Sequence, residues 1–124
     1  MEEITENDAL FLIAANASEE SEVWELLDDL RRWDCSKINL SVLVAGLIEE
    51  GTVGFYSRST DGFNDISESA AIEISRDLER NPRPVLFLTE EGWKRWDTDD
   101  WGITTKRARH LMFSNQTGSS SRVR

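Results

Sequence analysis

The sequence predicts a single α+β domain: three helices, a two-stranded antiparallel hairpin with a helical insertion, and a closing C-terminal helix. Two stretches carry that expectation. Leu43-Val-Ala-Gly-Leu-Ile-Glu-Glu-Gly-Thr-Val-Gly-Phe-Tyr-Ser-Arg58 reads as an amphipathic helix that stops at a glycine and passes straight into a strand. Val85-Leu-Phe-Leu-Thr-Glu-Glu-Gly-Trp-Lys-Arg-Trp96 reads as a strand whose last threonine caps a new helix. A chain of 124 residues suits one core and is too short for two. Its 39% hydrophobic content and five tryptophans suit a folded protein rather than a disordered one.

The elements follow in order. Leu10, Ile13, Ala14 and Ala17 recur at helical spacing and mark a first helix from Glu6 to Asn16. Phe11 and Leu12 make it apolar almost all round, which places it deep in the core. Ser18 to Ser21 breaks the pattern. A second helix then lines up Val23, Leu26, Leu27 and Leu30. Asp34-Cys35-Ser36 interrupts again, and Asn39 is a favourable N-cap for a third helix whose buried stripe is Leu40, Leu43, Val44, Leu47 and Ile48. Gly51 supplies the stop. Thr52 to Ser57 alternates, with Val53 and Phe55 on one side and Thr52, Gly54 and Tyr56 on the other. Ser59-Thr-Asp-Gly62 is a turn signal. Ala71, Ile74 and Leu78 predict a helix from Ser67 to Arg80, ended by Asn81-Pro-Arg-Pro84. Val85 to Leu88 is the second strand, and Thr89 with Glu90 and Glu91 opens the closing helix.

Charge is unevenly spread over the formal net of −10. Residues 1–105 hold all 24 acidic groups against 9 Lys and Arg, whereas 106–124 hold 5 Lys and Arg and no acid. This divides the chain into a domain over 1–105 and a basic tail over 106–124, partly disordered from Asn115 onward. An acidic body repels phosphate backbones and favours basic partners. Within the tail, Thr105-Lys-Arg-Ala-Arg-His-Leu-Met-Phe113 can dock on the acidic body, extend an oligomer interface or contact nucleic acid; docking has the simplest electrostatics. The lone Cys35 gives no internal disulfide, and the acidic start lacks a signal-type leader, so a cytoplasmic location is expected. The longest apolar run, Ala9 to Ala15, is far short of the roughly 20 residues of a membrane helix.

Leu43-Val-Ala-Gly-Leu-Ile-Glu-Glu-Gly-Thr-Val resembles the end of a recognition helix entering the wing of a winged helix-turn-helix domain. Leu86-Phe-Leu-Thr-Glu-Glu-Gly is similar to the second wing strand running into the closing helix. The resemblance covers roughly residues 8–98. It implies a third helix that enters the major groove, with Ser36, Lys37, Asn39, Ser41, Val42 and Ala45 facing it, Lys37 on a phosphate and Asn39 or Ser41 on a base edge. Arg58 would start the wing. The bland alternative makes these ordinary solvent-facing residues, with Asn39 a cap. Two features depart from the family: the connection from Ser59 to Arg83 is long and contains a helix. It is also net acidic, with Arg76, Arg80 and Arg83 against Asp61, Asp65, Glu68, Glu73, Asp77 and Glu79.

No catalytic residue, metal site or cofactor is expected. Cys35 and His110 lie far apart in sequence, with nothing to place a base beside the thiol. Asp97, Asp99 and Gly102 mimic positions of a calcium loop, but Ala108 stands where the glutamate should be. The tryptophans, Trp24, Trp33, Trp93, Trp96 and Trp101, either wedge the closing helix onto the second helix or form an exposed aromatic patch, with Trp93, Trp96 and Trp101 as its interface residues. Two functions follow. The first is a non-catalytic acidic protein-interaction module, a small regulatory or toxin-neutralising partner that covers a basic protein. The second is a DNA-binding regulator, read as a homodimer, using Lys37, Asn39, Ser41 and Arg58 with the basic tail.

Overall fold

Thr5 opens the first helix of the computed structural model, which describes residues 1–113. Its hydroxyl accepts from the Asp8 N–H while the Asp8 carboxylate accepts from the Thr5 N–H, a reciprocal cap on helix α1 (Glu6–Ser18). Every residue from Phe11 to Ala17 is buried, so α1 is the central helix that its all-round apolarity predicts. It runs two residues past the expected end, with the Ser18 hydroxyl donating to the Ala15 carbonyl and Glu20 at a φ of 54° turning the chain.

Helix α2 (Val23–Leu30) buries Val23, Leu26 and Leu30. Helix α3 (Leu40–Glu49) starts at Asn39, whose side chain accepts from the Val42 N–H, and buries Val44, Leu47 and Ile48. Gly51, at a φ of 77°, ends it where a side chain would be strained. The Thr52 N–H then reaches back to the Leu47 carbonyl as the chain enters strand β1 (Val53–Ser59).

The sheet has three strands rather than the expected two. Strand β2 (Gly62–Asp65) and strand β3 (Val85–Leu88) flank β1 in the order β2-β1-β3, all antiparallel. The expected pairing of β1 with β3 is present, with Val53 opposite Leu88 and Phe55 opposite Leu86. The Ser59–Gly62 turn is the tip of a tight hairpin, and the strand after it went unforeseen because Gly62-Phe-Asn-Asp65 holds a single apolar residue. The far edge of β3 is covered by the link between α1 and α2: the Leu86 N–H donates to the Ser21 carbonyl and the Val23 N–H to the Pro84 carbonyl.

The helical insertion is split. Ser67 caps helix α4 (Glu68–Arg76), which packs against α3. Asp77 then leaves helical geometry, and a 3-10 turn over Leu78–Arg80 tucks Leu78 beneath α2.

Helix α5 (Glu90–Asp97) is capped by Thr89, whose oxygen accepts from the Gly92 N–H while its hydroxyl contacts the Gly51 and Thr52 carbonyls. This one residue therefore pins α5 to the α3–β1 junction. Gly92 lies so close to that junction that a Cβ would overlap the Thr52 carbonyl oxygen. Helix α6 (Thr105–Phe113) follows. The segment set apart as a tail is thus helical up to Phe113, with Leu111 fully buried against the core; the expected disorder from Asn115 lies outside the described residues.

Candidate protein-docking face

Of the positions expected to meet DNA, Lys37, Asn39 and Arg58 have side-chain partners within the protein. Lys37 is exposed but lies 3.3 Å from the Glu3 carboxylate. The Asn39 side chain is committed to its cap. Ser41 is half-buried in the cleft that α3 shares with Asp77, Leu78 and Glu79, so the insertion lies along the face a groove would need. Arg58 sits 3.6 Å from Glu22 and hydrogen-bonds the Tyr56 hydroxyl, the main reason its guanidinium holds its proton more tightly than usual. Of the remaining positions, Ser36 and Val42 are exposed and Ala45 is half-buried, and α3 itself carries no Lys or Arg.

The tryptophans divide. Trp96 stacks on Phe11 of α1, with ring centres 5.5 Å apart and 16° between planes. Trp101 is 2% exposed, next to Trp96, with the Arg95 guanidinium 4.1 Å from its ring centre. Both therefore wedge the C-terminal segment onto α1, not onto α2 as expected; Trp101 leaves the surface and Trp96 is half-buried. Trp93 alone of the three stays 43% exposed. Trp24 is exposed with its indole N–H donating to Glu22, and Trp33 is buried with His110 at its edge.

Trp93 is joined by residues that the sequence did not single out. Antiparallel partners share a face, so the outer face of the sheet carries Tyr56 and Arg58 from β1, Phe63 and Asp65 from β2, and Phe87 from β3. Tyr56 stands at the centre, 5.3 Å from the Phe63 ring and 5.8 Å from the Phe87 ring. Gly54 makes room for this face, because a Cβ there would come within 2.9 Å of the Phe87 ring. Phe63 is 73% exposed. With Trp93, Leu88 and Ala17 these rings line a groove of about 250 Å³ whose charged walls are Glu20 and Asp65. The Tyr56 hydroxyl donates to Glu20 at 2.7 Å; partial burial, and then that carboxylate, push its pKa up. Strand alternation had placed Gly54 and Tyr56 opposite the buried Val53 and Phe55, so Tyr56 was legible. Phe63 was not, because its strand was not.

Cys35 is half-buried, its thiol against the Leu30 carbonyl, with burial and then Asp34 raising its pKa. His110 instead contacts Glu2 at 2.7 Å. Asp99 and Gly102 adopt positive φ in the α5–α6 turn, and among the described residues no three His, Cys, Asp or Glu side chains are grouped to hold a metal ion. No helix of the described residues is long and apolar enough to cross a membrane. Comparison with protein-family models, with curated proteins and with solved structures finds no match.

Proposed function

We propose that this protein is a non-catalytic, acidic protein-interaction module on a winged-helix-like scaffold, a small regulatory or toxin-neutralising partner whose target presents a basic surface. The scaffold reading is supported by element order. Three helices lead into β1, β1 pairs with β3, and the α1–α2 link bridges to β3, with β2 and α4 inserted between the two main strands. The observation that carries the function is the groove of Tyr56, Phe63, Phe87 and Trp93 between Glu20 and Asp65. Aromatic side chains give large contact area at low entropic cost and dominate interface energetics. Carboxylates at the rim select cationic partners and speed encounter. Among the described residues the one cation on that face, Arg58, is held by Glu22.

The test is affinity capture from the native source, identification of the captured protein, and repetition with purified components. Trp93→Ala with Phe63→Ala should weaken that complex at least about tenfold, as loss of a central aromatic anchor does. Val42→Ala, at an exposed position on α3 outside the groove, should leave it unchanged. Duplex DNA retained at low salt and released by Lys37→Glu would support a DNA-binding regulator instead and overturn this reading.

A further inference from the structure

Strand β2 has an open edge. Its hairpin closes through Thr60 and Asp61, and the Ile66 N–H donates to the Phe55 carbonyl. Bonded pairs alternate along an antiparallel ladder, so Phe55 with Ile66, Ser57 with Asn64, and Ser59 with Gly62 are the bonded pairs. The main-chain N–H and C=O groups of Phe63 and Asp65 therefore point away from β1, and among the described residues none of them has a hydrogen-bond partner. Phe63, Asn64 and Asp65 are all exposed. On the opposite side of the sheet the edge of β3 is closed by Ser21 and Glu22. Among the described residues, the exposed edge of the sheet is therefore that of β2.

We propose that this edge accepts an extended, cationic segment of the partner as a fourth strand, so that main-chain pairing supplies affinity and the outer aromatic face reads its side chains. The inference rests on the protein-interaction reading above. Charge decides the occupant. Asp61 and Asp65 lie along the edge and Glu20 across the groove. A second copy of this chain would set those carboxylates against their own kind, with a net −10 on each molecule. Acidic groups on an edge strand are a standard block to self-pairing, and the same groups favour lysine and arginine. The sheet period fixes the pattern as well. Phe63 and Asp65 share the outer face two residues apart, so the added strand should place an apolar side chain beside Phe63 and a basic one beside Asp65, at positions i and i+2.

The probe is a ten-residue synthetic peptide alternating Lys and Val at every second position of one face, with threonine between them, titrated into the full chain and followed by amide NMR. Binding should shift the Phe63 and Asp65 amides and slow their exchange with solvent, while the Asn64 and Ile66 amides, already bonded inward, change little in exchange. Asp65→Pro deletes one outward donor without touching an inward bond and should weaken binding about tenfold or more. Asp65→Asn removes only the charge and should cost about threefold or less. Absence of protection at Phe63 and Asp65 at millimolar peptide overturns the proposal, as does equal weakening by Asp65→Pro and Asp65→Asn. The captured partner separates the two levels. If Trp93→Ala with Phe63→Ala breaks that complex and Asp65→Pro leaves it intact, strand addition fails and the docking face stands. If neither breaks it, both fail.

Discussion

Arg107→Ala tests how α6 is held. The Asp8 carboxylate is 2% exposed, and the Arg107 guanidinium meets both its oxygens, Nε to Oδ1 at 3.1 Å and Nη2 to Oδ2 at 2.8 Å. Truncation leaves a buried carboxylate that still accepts from the Thr5 N–H. Removing one partner of a buried ion pair costs about 3–5 kcal/mol. The Arg107 side chain is 29% exposed, so solvent relieves part of that charge, and we expect the low end, about 3 kcal/mol. For a domain of this size that lowers Tm by about 12 °C. The contact of Arg107 with Glu2 lies at the surface and adds little. The pH dependence supplies the sign. Burial pushes the Asp8 pKa up, but the bonds from Arg107 and Thr5 outweigh it, and the net effect is a lowered value. A lowered folded-state pKa means a stabilising contribution that is full above the ordinary aspartate value of 3.8 and is lost as pH falls through the folded value. Without Arg107, burial is opposed only by the Thr5 bonds, so Asp8 protonates at a higher pH in the variant than in the native protein and the gap between the two narrows as pH falls. The assay is urea unfolding of both proteins from pH 7 to pH 3, urea being chosen because guanidinium salts screen charge. The stability difference should be largest at pH 7 and shrink steadily toward pH 3. A difference below about 1 kcal/mol at pH 7, or one independent of pH, refutes the buried-pair account.

The remaining expectations concern packing. Gly92→Ala improves helix propensity by about 1 kcal/mol but drives a methyl into the Thr52 carbonyl, so a net loss of about 2 kcal/mol in urea unfolding is expected, with a more stable variant as the contrary result. Leu111→Ala should cost about 3 kcal/mol, because the side chain is fully buried; a loss below about 1 kcal/mol would show that α6 lies loosely on the core. Asn39→Ala removes the α3 cap and should lower stability by about 1 kcal/mol, read as a shift in the urea midpoint at unchanged slope.

Local signals with their own chemistry were legible in the sequence. Asn39, Gly51 and Thr89 mark the ends of α3 and α5 because a cap is decided by a few adjacent atoms, and the antiparallel pairing of β1 with β3 followed from runs of apolar residues between those marks. What escaped depends on partners distant in the chain. Strand β2 is defined by hydrogen bonds to β1 and not by its own composition. Docking of Thr105–Phe113 on the acidic body was one of the readings open in the sequence, but its anchor was not legible, because Asp8 lies 99 residues away from Arg107. Trp101 carries no periodic neighbours, so its burial beneath Arg95 had no signal. At the docking face, Trp93 and Tyr56 could be read from the pattern, whereas Phe63 and Phe87 needed the register.

The charge balance bears on DNA more sharply once the ion pairs are placed. Arg31, Arg32, Lys37, Arg58, Arg76, Arg80, Lys94, Arg95 and Arg107 each face a carboxylate within 4.0 Å. Among the described residues this leaves Arg83, Lys106 and Arg109 without an acidic partner, and two of those lie on α6 rather than α3. Among the described residues, a duplex would therefore find its unpaired cations on α6 and not on the helix that the winged-helix resemblance nominates. The described residues supply three such cations and the sequence adds Arg122 and Arg124 beyond them, so three to five phosphate contacts give a log–log salt slope of about −3 to −4.5. If a duplex is retained at low salt, Lys106→Glu with Arg109→Glu should abolish it and Lys37→Glu should not. A slope steeper than about −5, or loss on Lys37→Glu alone, would mean that the Glu3 contact opens and that α3 is the reading helix after all.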